Sequence, residues 1–395
     1  MNKTLKKSLV TILSIFAVVT ILMSCGCTSE VTEPTTASTT DNDNISIKDN
    51  NLDKNTEYIT VTDMAGRTVR VPKKVDRTIG LGSSLREIVY LQATDKVVGV
   101  EKLESDEKVG SRTLYILTHK ELMDLPIVSE SGNVEQYYER ILQINPDVIF
   151  IGYESDVADD MQEKLQIPVV VVYTAPVGTE NQNEQYTQSL RLMGKILDKE
   201  ERAEEILNKI EEYKADLALR ASKSTNNQTV YLGGRAYQGI NGLTATDAKW
   251  PPLVYLGANN KANNVAYDLC NESKGMAISK EQLLEWNPEC IFISSISIDK
   301  VSKEFQKPEF KNLDAVSNNN VYQVLPYRWY LYNKGTAIID SYYIGKVLYP
   351  EQFEDIDPVE KADEVYTFFY GKPAYDDLTG KIGGFKKLEL GSENQ

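Results

Sequence analysis

Histidine is nearly absent from this chain of 395 residues, which contains only His119. A His-rich zinc site is therefore excluded, and a Ser-His-Asp triad would have to use that one residue. Positive charge is also scarce, because 43 lysines and arginines stand against 58 acidic residues and give a formal net charge of −15. Nucleic acid requires a basic surface, so we expect no nucleic-acid partner.

The N-terminus has the pattern of an export signal. Lysines precede an uncharged apolar run over residues 9–23, which is typical of a secretory signal peptide and is assigned to residues 1–24. This run is shorter than the roughly 20 apolar residues of a membrane-spanning helix. The residues before Cys25 resemble a lipobox, so we expect Cys25, or alternatively Cys27, to be lipidated. An ordinary cleaved signal or an uncleaved anchor remains an alternative.

A segment with few large apolar side chains follows. Residues 28–56 are rich in Thr, Ser, Asn and Asp, and such a composition cannot bury enough surface to offset its ordering entropy. We therefore expect residues 25–57 to be a lipidated cysteine and a disordered tether, which anchors the folded part to the outer face of the cell membrane.

An internal repeat organises the remainder. Residues 139–151 (ERILQINPDVIFI) and 281–293 (EQLLEWNPECIFI) are offset by 142 positions, and seven of the thirteen residues are identical. Each copy predicts an amphipathic helix, which Asn-Pro ends, and then a buried parallel strand. The repeat therefore predicts two similar α/β lobes.

Alternating strands and helices fit this plan and predict open parallel sheets. A continuous apolar stripe predicts one long helix over residues 200–222, which would span roughly 35 Å and bridge the lobes. The alternative is a surface helix of the first lobe followed by a loop. The predicted fold class is α/β, with two Rossmann-like lobes and a cleft between them. The predicted segments are an N-terminal lobe at 58–199, the helix, a C-terminal lobe at 223–350 and a helical C-terminal tail at 351–395.

The motifs resemble a known family. The stretches ITVTDMAGRTVRVP (59–72) and RTIGLGSSLREIVYLQATDKVVGVE (77–101), with the repeated E-x-I/L-L-x-x-N-P-D/E, are similar to substrate-binding proteins of ABC importers for iron–siderophore, haem and vitamin B12. The resemblance implies a monomeric binding protein, not an enzyme, that hands its ligand to a permease and its ATPase. It also implies that Glu139 and Glu281, one on each lobe, dock onto the permease. A helix-capping role for these carboxylates is the alternative.

Ligands of open α/β sheets bind beyond the carboxyl ends of the strands. Arginine suits planar anions, and tyrosine and tryptophan offer flat faces for a chelator or macrocycle. We therefore expect an iron(III) chelate, or alternatively a corrinoid or haem, and no permanently bound cofactor. The candidate ligand-binding residues at the predicted strand ends and in the loop near Gly239 are Ser83, Ser84, Arg86, Tyr153, Arg235, Tyr237, Trp250, Tyr327, Arg328 and Trp329.

Other interpretations of these residues remain open. The aromatic residues at 327–330 could equally form an aromatic corner that is purely structural. Arg235 or Arg328 alone could equally form a surface salt bridge. A bare metal ion, or a chelatase-like enzyme, would need clustered ligands or an acidic pair at the strand ends, and we expect neither. An adhesion lipoprotein with the same cleft is a remote alternative. An axial-ligand role for His119 and a disulfide between Cys270 and Cys290 are less favoured than an exposed histidine and two free thiols.

Overall fold

The structure is a computed structural model that describes residues 56–390, apart from 111, 131–132, 153–154, 236–239 and 265–274. The expectations for Cys25, Cys27, Tyr153, Tyr237 and Cys270 lie outside the described residues. The strands are β1 (Tyr58–Thr62), β2 (Thr68–Pro72), β3 (Thr78–Leu81), β4 (Val97–Glu101), β5 (Ile127–Ser129), β6 (Val148–Ile151), β7 (Val169–Val171), β8 (Val230–Gly233), β9 (Ala245–Thr246), β10 (Met276–Ala277), β11 (Cys290–Ser294), β12 (Val321–Val324) and β13 (Lys386–Lys387).

The first lobe is built on a five-stranded sheet in the order β5-β4-β3-β6-β7, and all its neighbouring pairs are parallel. Its central strands β3 and β6 are buried along their whole length, which explains their continuous apolar sequences. The strand order reverses between β3 and β6, and this reversal opens a crevice beyond their carboxyl ends. Before this sheet, β1 and β2 form an antiparallel hairpin.

The second lobe repeats the core of this arrangement. Strand β11 lies between β8 and β12 and is parallel to both, while the short β13 closes the edge in the antiparallel direction. Strands β6 and β11, the two copies of the sequence repeat, therefore both occupy inner positions. The α/β fold class is confirmed, with a parallel sheet in the first lobe and three parallel strands in the second.

Helices cover these sheets and connect their strands. Their bounds are α1 (Leu85–Tyr90), α2 (Lys102–Ser105), α3 (Glu107–Gly110), α4 (Leu114–Thr118), α5 (Tyr138–Ile144), α6 (Ser155–Leu165), α7 (Glu180–Leu197), α8 (Glu200–Ser222), α9 (Pro251–Tyr255), α10 (Lys280–Trp286), α11 (Ile298–Phe305), α12 (Pro308–Lys311), α13 (Asp314–Ser317), α14 (Lys334–Leu348), α15 (Pro358–Tyr370) and α16 (Tyr375–Ile382). None of the helices in the described part of the chain has the length and apolar character needed to cross a membrane.

The helix α8 runs from the last helix of the first lobe to the first strand of the second. It spans 23 residues and buries Ala203, Ile206, Leu207, Tyr213 and Leu217, the stripe that the sequence periodicity predicts. The long helix over residues 200–222 is thereby present as predicted.

The two repeated helices end in the same way. Asn145 and Asn287 adopt left-handed backbone conformations with φ of 52° and 39°, and each donates its N–H to the carbonyl four residues earlier. Asparagine tolerates this conformation better than most residues. The following proline then prevents the helix from continuing, so Asn and Pro together turn the chain into the buried strand.

Helix α15 of the C-terminal segment packs against α14 and also contacts the first lobe. The ring of Phe369 lies 4.8 Å from that of Tyr90, and the hydroxyl groups of Tyr90 and Tyr370 are 3.1 Å apart. Arg202 on α8 donates to the carbonyl of Phe368. Helix α15 thus contributes to the core in contact with α1 and α8, and several of the chain's 23 tyrosines lie here.

Candidate functional site

The turn that follows β3 wraps around a buried carboxylate. Glu101 Oε2 accepts the N–H of Gly82 at 2.9 Å and that of Ser83 at 3.4 Å. Ser83 is fully buried with a φ of 66°, a strained value for a residue with a side chain. Its Oγ has no hydrogen-bond partner among the described residues. The neighbouring Ser84 is also buried, and its Oγ donates to the carbonyls of Leu81 and Phe150. Ser84 therefore ties together the ends of β3 and β6.

Arg86 lies on α1 and is completely buried. Its Nη2 donates to the carbonyl of Tyr330 in the second lobe, and its guanidinium carbon lies 5.2 Å from the ring centre of Tyr115. Its Nε and Nη1 have no hydrogen-bond partner in the described part of the chain. Burying a cation that has unused hydrogen-bond donors costs folding free energy unless an anion binds to it.

An acidic pair lies at the end of β4, contrary to our expectation of none at the strand ends. Glu104 Oε2 accepts the N–H of Glu101 at 2.8 Å, and Glu104 Oε1 accepts the hydroxyl of Tyr115 at 2.7 Å. Burial and the nearby charge of Glu101 raise the pKa of Glu104 to about 8. Both carboxylates are engaged by backbone and tyrosine donors, so they order the loop. The sequence signal was present, since a glutamate ends the otherwise apolar strand VVGVE.

The second lobe supplies another buried arginine. Arg235 follows β8 and the turn glycine Gly234, whose φ is +65°. Its Nη2 lies 2.7 Å and its Nε 2.8 Å from Asp247 Oδ2, and both side chains are at most 4% exposed. Arg235 is thus held in a buried ion pair and not in the surface salt bridge that the sequence left open.

Four predicted residues meet at one small cavity. Arg235, Trp250, Tyr327 and Arg328 surround a space of about 10 Å³ beyond the carboxyl ends of β8, β11 and β12, together with Leu232, Ser294 and Leu325. Trp250 is only 2% exposed. It is the N-cap residue of α9, whose first two residues are prolines. Ser294 Oγ is buried without a hydrogen-bond partner among the described residues.

The segment after β12 connects the second lobe to the first. The hydroxyl of Tyr327 accepts the N–H of Val177 at 3.1 Å, and the hydroxyl of Tyr330 donates to Glu101 Oε2 at 2.6 Å. Tyr330 and Leu331 have φ values of 44° and 62°. Strained backbone of this kind is common at binding sites, where the surroundings hold it in place. Trp329 is half-buried, and its indole N–H has no partner among the described residues.

Two other predicted features lie apart from this cavity. Burial lowers the pKa of His119, whose Nδ1 is 3.1 Å from the hydroxyl of Thr118 at the end of α4. Cys290 is a free, buried cysteine in β11, and burial raises its pKa to about 12. In the described residues no three His, Cys, Asp or Glu side chains are grouped closely enough to hold a metal ion.

The two glutamates of the repeat occupy equivalent positions. Glu139 is the second residue of α5 and Glu281 the second residue of α10, and both side chains are exposed. Each helix leads into an inner strand of its sheet. The helix starts therefore lie on the side of the strands' carboxyl ends, where the cleft opens.

Known proteins share this architecture. The sequence pattern of the periplasmic binding protein family matches residues 81–327. The molybdate-binding protein MolA of Haemophilus influenzae is 25% identical over 329 residues, which cover 78% of this chain and 90% of that protein. The petrobactin-binding protein YclQ of Bacillus subtilis is 24% identical over 212 residues, which cover 51% of this chain and 62% of that protein. A periplasmic solute binding protein from Veillonella parvula has the same fold, with a TM-score of 0.63, 23% identity and coverage of 82% of this chain and 97% of that one.

The chain therefore belongs to the periplasmic binding protein family. Within it, the chain is an extracytoplasmic substrate-binding protein of an ABC importer, of the class that includes carriers of siderophores, haem and vitamin B12. The resemblance found in the sequence is confirmed. These relatives are named as binding proteins, and MolA is described as the cognate periplasmic binding protein of an ABC transporter.

Proposed function

We propose that the solute of this importer is an anionic metal complex, an iron(III) chelate, held between arginines of the two lobes. Arg86 comes from the first lobe, and Arg235 and Arg328 come from the second. Arginine binds carboxylate and similar oxygen-rich anions through charge-assisted, often bidentate hydrogen bonds. The related petrobactin-binding protein is named for a ligand of the siderophore class.

One observation carries this proposal. Arg86 is fully buried, yet two of its nitrogens have no hydrogen-bond partner among the described residues. An unpaired buried guanidinium is expensive, and an anionic ligand would supply the missing acceptors. The indole of Trp329 and the hydroxyls of Ser83 and Ser294 are further buried groups whose hydrogen-bonding capacity is unused in the described structure.

A compact metal oxyanion such as molybdate is the second candidate. The cavity beside Arg235 and Ser294 measures only about 10 Å³ and is lined by arginine, serine, aromatic and leucine side chains. A tetrahedral oxyanion requires far less opening of this cavity than a chelate does. One relative, which covers 78% of this chain, is named a molybdate-binding protein.

Delivery would use the exposed glutamates of the repeat. We propose that Glu139 and Glu281 contact arginines of the permease, one from each lobe, and that a lipid on Cys25 or Cys27 keeps the protein near it. The constant offset of 142 residues, the matching helix positions and the exposure of both side chains support this role.

Calorimetric titration of the purified protein tests the proposal. The panel contains ferric petrobactin, ferric citrate, molybdate, haemin and cobalamin, with the iron-free chelators as matched controls. We expect saturable 1:1 binding of an anionic iron chelate at micromolar or lower Kd. Binding of molybdate alone would select the second candidate. Binding of cobalamin alone, or of none of these ligands, would contradict the anionic metal complex.

A further inference from the structure

A second and larger cavity lies beside α8. It measures about 220 Å³ and is lined by residues of α7, α8, α9 and α14. It shares no lining residue with the cavity beside Arg235. A cavity of about 150 Å³ is sufficient for benzene, so this helix cavity has room for a substituted six-membered ring.

Its interior is apolar with two buried polar side chains. Leu207, Ile338 and Tyr255 contribute apolar walls that are at most 8% exposed. Tyr186 is 3% exposed, and its hydroxyl has no hydrogen-bond partner among the described residues. Lys334 is 2% exposed, and its Nζ lies 4.8 Å from the centre of the Tyr186 ring.

These two buried groups offer hydrogen-bond donors to a ligand. Lys334 Nζ donates to Glu87 Oε1 at 2.9 Å, which leaves the ammonium group with further donors. The hydroxyl of Tyr186, which has no partner among the described residues, can donate one more hydrogen bond. The two oxygens of a carboxylate only accept hydrogen bonds, so this ligand group would use the donors of both side chains.

The basic side chains at the outer part of the cavity are already paired with acidic ones. Lys214 Nζ is 2.6 Å from Glu211 Oε1, and Arg191 is 2.6 Å from Glu204 Oε1. Asn208 is exposed beside these pairs. A ligand would pass this polar rim, and its charged group would find its best partners in the interior.

From these observations we infer that the helix cavity is a second small-molecule site, which binds a small aromatic monocarboxylate of the size of benzoate. The ring would lie against Leu207, Tyr255 and Ile338. The carboxylate would accept hydrogen bonds from the Tyr186 hydroxyl and the Lys334 ammonium group. This site does not depend on the nature of the solute in the cleft.

Fluorine NMR with 4-fluorobenzoate and the purified protein tests this inference. We expect saturable binding with a Kd in the millimolar range, as is typical of a ligand with about ten heavy atoms. The neutral probe 4-fluorobenzyl alcohol should bind at least several-fold more weakly. Tyr186→Phe removes only the hydroxyl and should weaken 4-fluorobenzoate binding about tenfold.

Two further variants locate the probe. Leu207→Trp fills the cavity and should abolish binding, and Asn208→Trp obstructs the rim from an exposed position where folding is little affected. Tyr322→Phe, a tyrosine of β12 that does not line the cavity, is the matched control and should bind as the wild type does. Equal affinity for the acid and the alcohol, or unchanged binding in both Tyr186→Phe and Asn208→Trp, would overturn the inference.

Discussion

Tyr330 of the second lobe donates a hydrogen bond of 2.6 Å to Glu101 of the first. Glu101 also accepts two N–H groups from the turn after β3, and the carbonyl of Tyr330 accepts from Arg86. One residue thus joins the turn, the buried arginine and the opposite lobe. Any solute that reaches Arg86 from the cleft must share or replace these contacts.

Removing the Tyr330 hydroxyl should destabilise the folded protein. Tyr330→Phe leaves Glu101 without this donor, and a hydrogen bond to a carboxylate contributes about 1.5–3 kcal/mol. We expect the free energy of unfolding in urea to fall by an amount in that range. Tyr322→Phe is the control because its hydroxyl is not part of the junction between the lobes. An equal loss of unfolding free energy in both variants would show that the hydrogen bond to Glu101 contributes no more to stability than the hydroxyl of Tyr322 does.

The buried acidic pair should make stability depend on pH. Burial and Glu101 raise the pKa of Glu104 from 4.5 to about 8, so the folded chain holds this proton where the unfolded chain has lost it. The stabilisation is complete below pH 4.5 and is lost as the pH rises towards 8. We therefore expect the free energy of unfolding to decrease between pH 5 and pH 8.

Glu104→Gln should flatten this decrease because an amide does not titrate. Burial also raises the pKa of Asp340 well above its usual range, so part of the slope will remain. Glu163→Gln alters an exposed glutamate and provides the control. Urea unfolding of the three proteins at five pH values measures the effect. The same slope in Glu104→Gln and in the wild type would be evidence against a raised pKa.

Substitutions of Lys334 and Glu87, which form a buried ion pair, should have strongly coupled effects on the free energy of unfolding. Both side chains are at most 2% exposed and they are 2.9 Å apart. Lys334→Met leaves a buried carboxylate unpaired and should cost about 3–5 kcal/mol of unfolding free energy. The double variant with Glu87→Met should recover a substantial part of this loss.

The exposed pair of Arg191 and Glu204 is the comparison for that cycle, with side chains 55% and 47% exposed. Arg191→Met should change stability by less than about 1 kcal/mol. Additive losses from Lys334→Met and Glu87→Met would mean that the buried pair is not coupled.

The docking role of the repeat glutamates predicts a separation of two activities. Glu139→Ala combined with Glu281→Ala should abolish solute uptake by cells while solute affinity of the purified protein stays unchanged. The control combines Glu163→Ala with Glu285→Ala, which removes two exposed glutamates elsewhere on α6 and α10. Normal uptake in the first double variant, or weakened solute binding, would argue against docking.

Much of the scaffold was accessible from the sequence because it depends on local patterns. Local sequence patterns predict the strands β3 and β6 from their apolar runs and the helix α8 from its apolar stripe. The Asn-Pro pairs likewise predict where α5 and α10 end. The short strands β5, β9, β10 and β13 have two or three residues and lack such a signal. Their existence depends on pairing with distant strands.

The site was only partly accessible for the same reason. Arg235, Tyr327 and Arg328, predicted from strand ends, and Trp250, predicted from a loop, line one cavity in the structure, and their role in binding stays a prediction. The contacts of Glu101 with Tyr330 and of Glu87 with Lys334 join residues 229 and 247 positions apart. Nothing local in the sequence encodes such pairs. The burial of Arg86 likewise follows from the packing of the second lobe over α1.

The most direct test of the account is the solute affinity of Arg86→Met. With the solute identified by calorimetry, we expect the Kd to rise at least 100-fold relative to the wild type, because a charge-assisted anion contact is lost. Arg112→Met removes an exposed arginine of the same lobe and should leave the Kd unchanged. A folded Arg86→Met protein with wild-type affinity would contradict an anionic solute held between the two lobes.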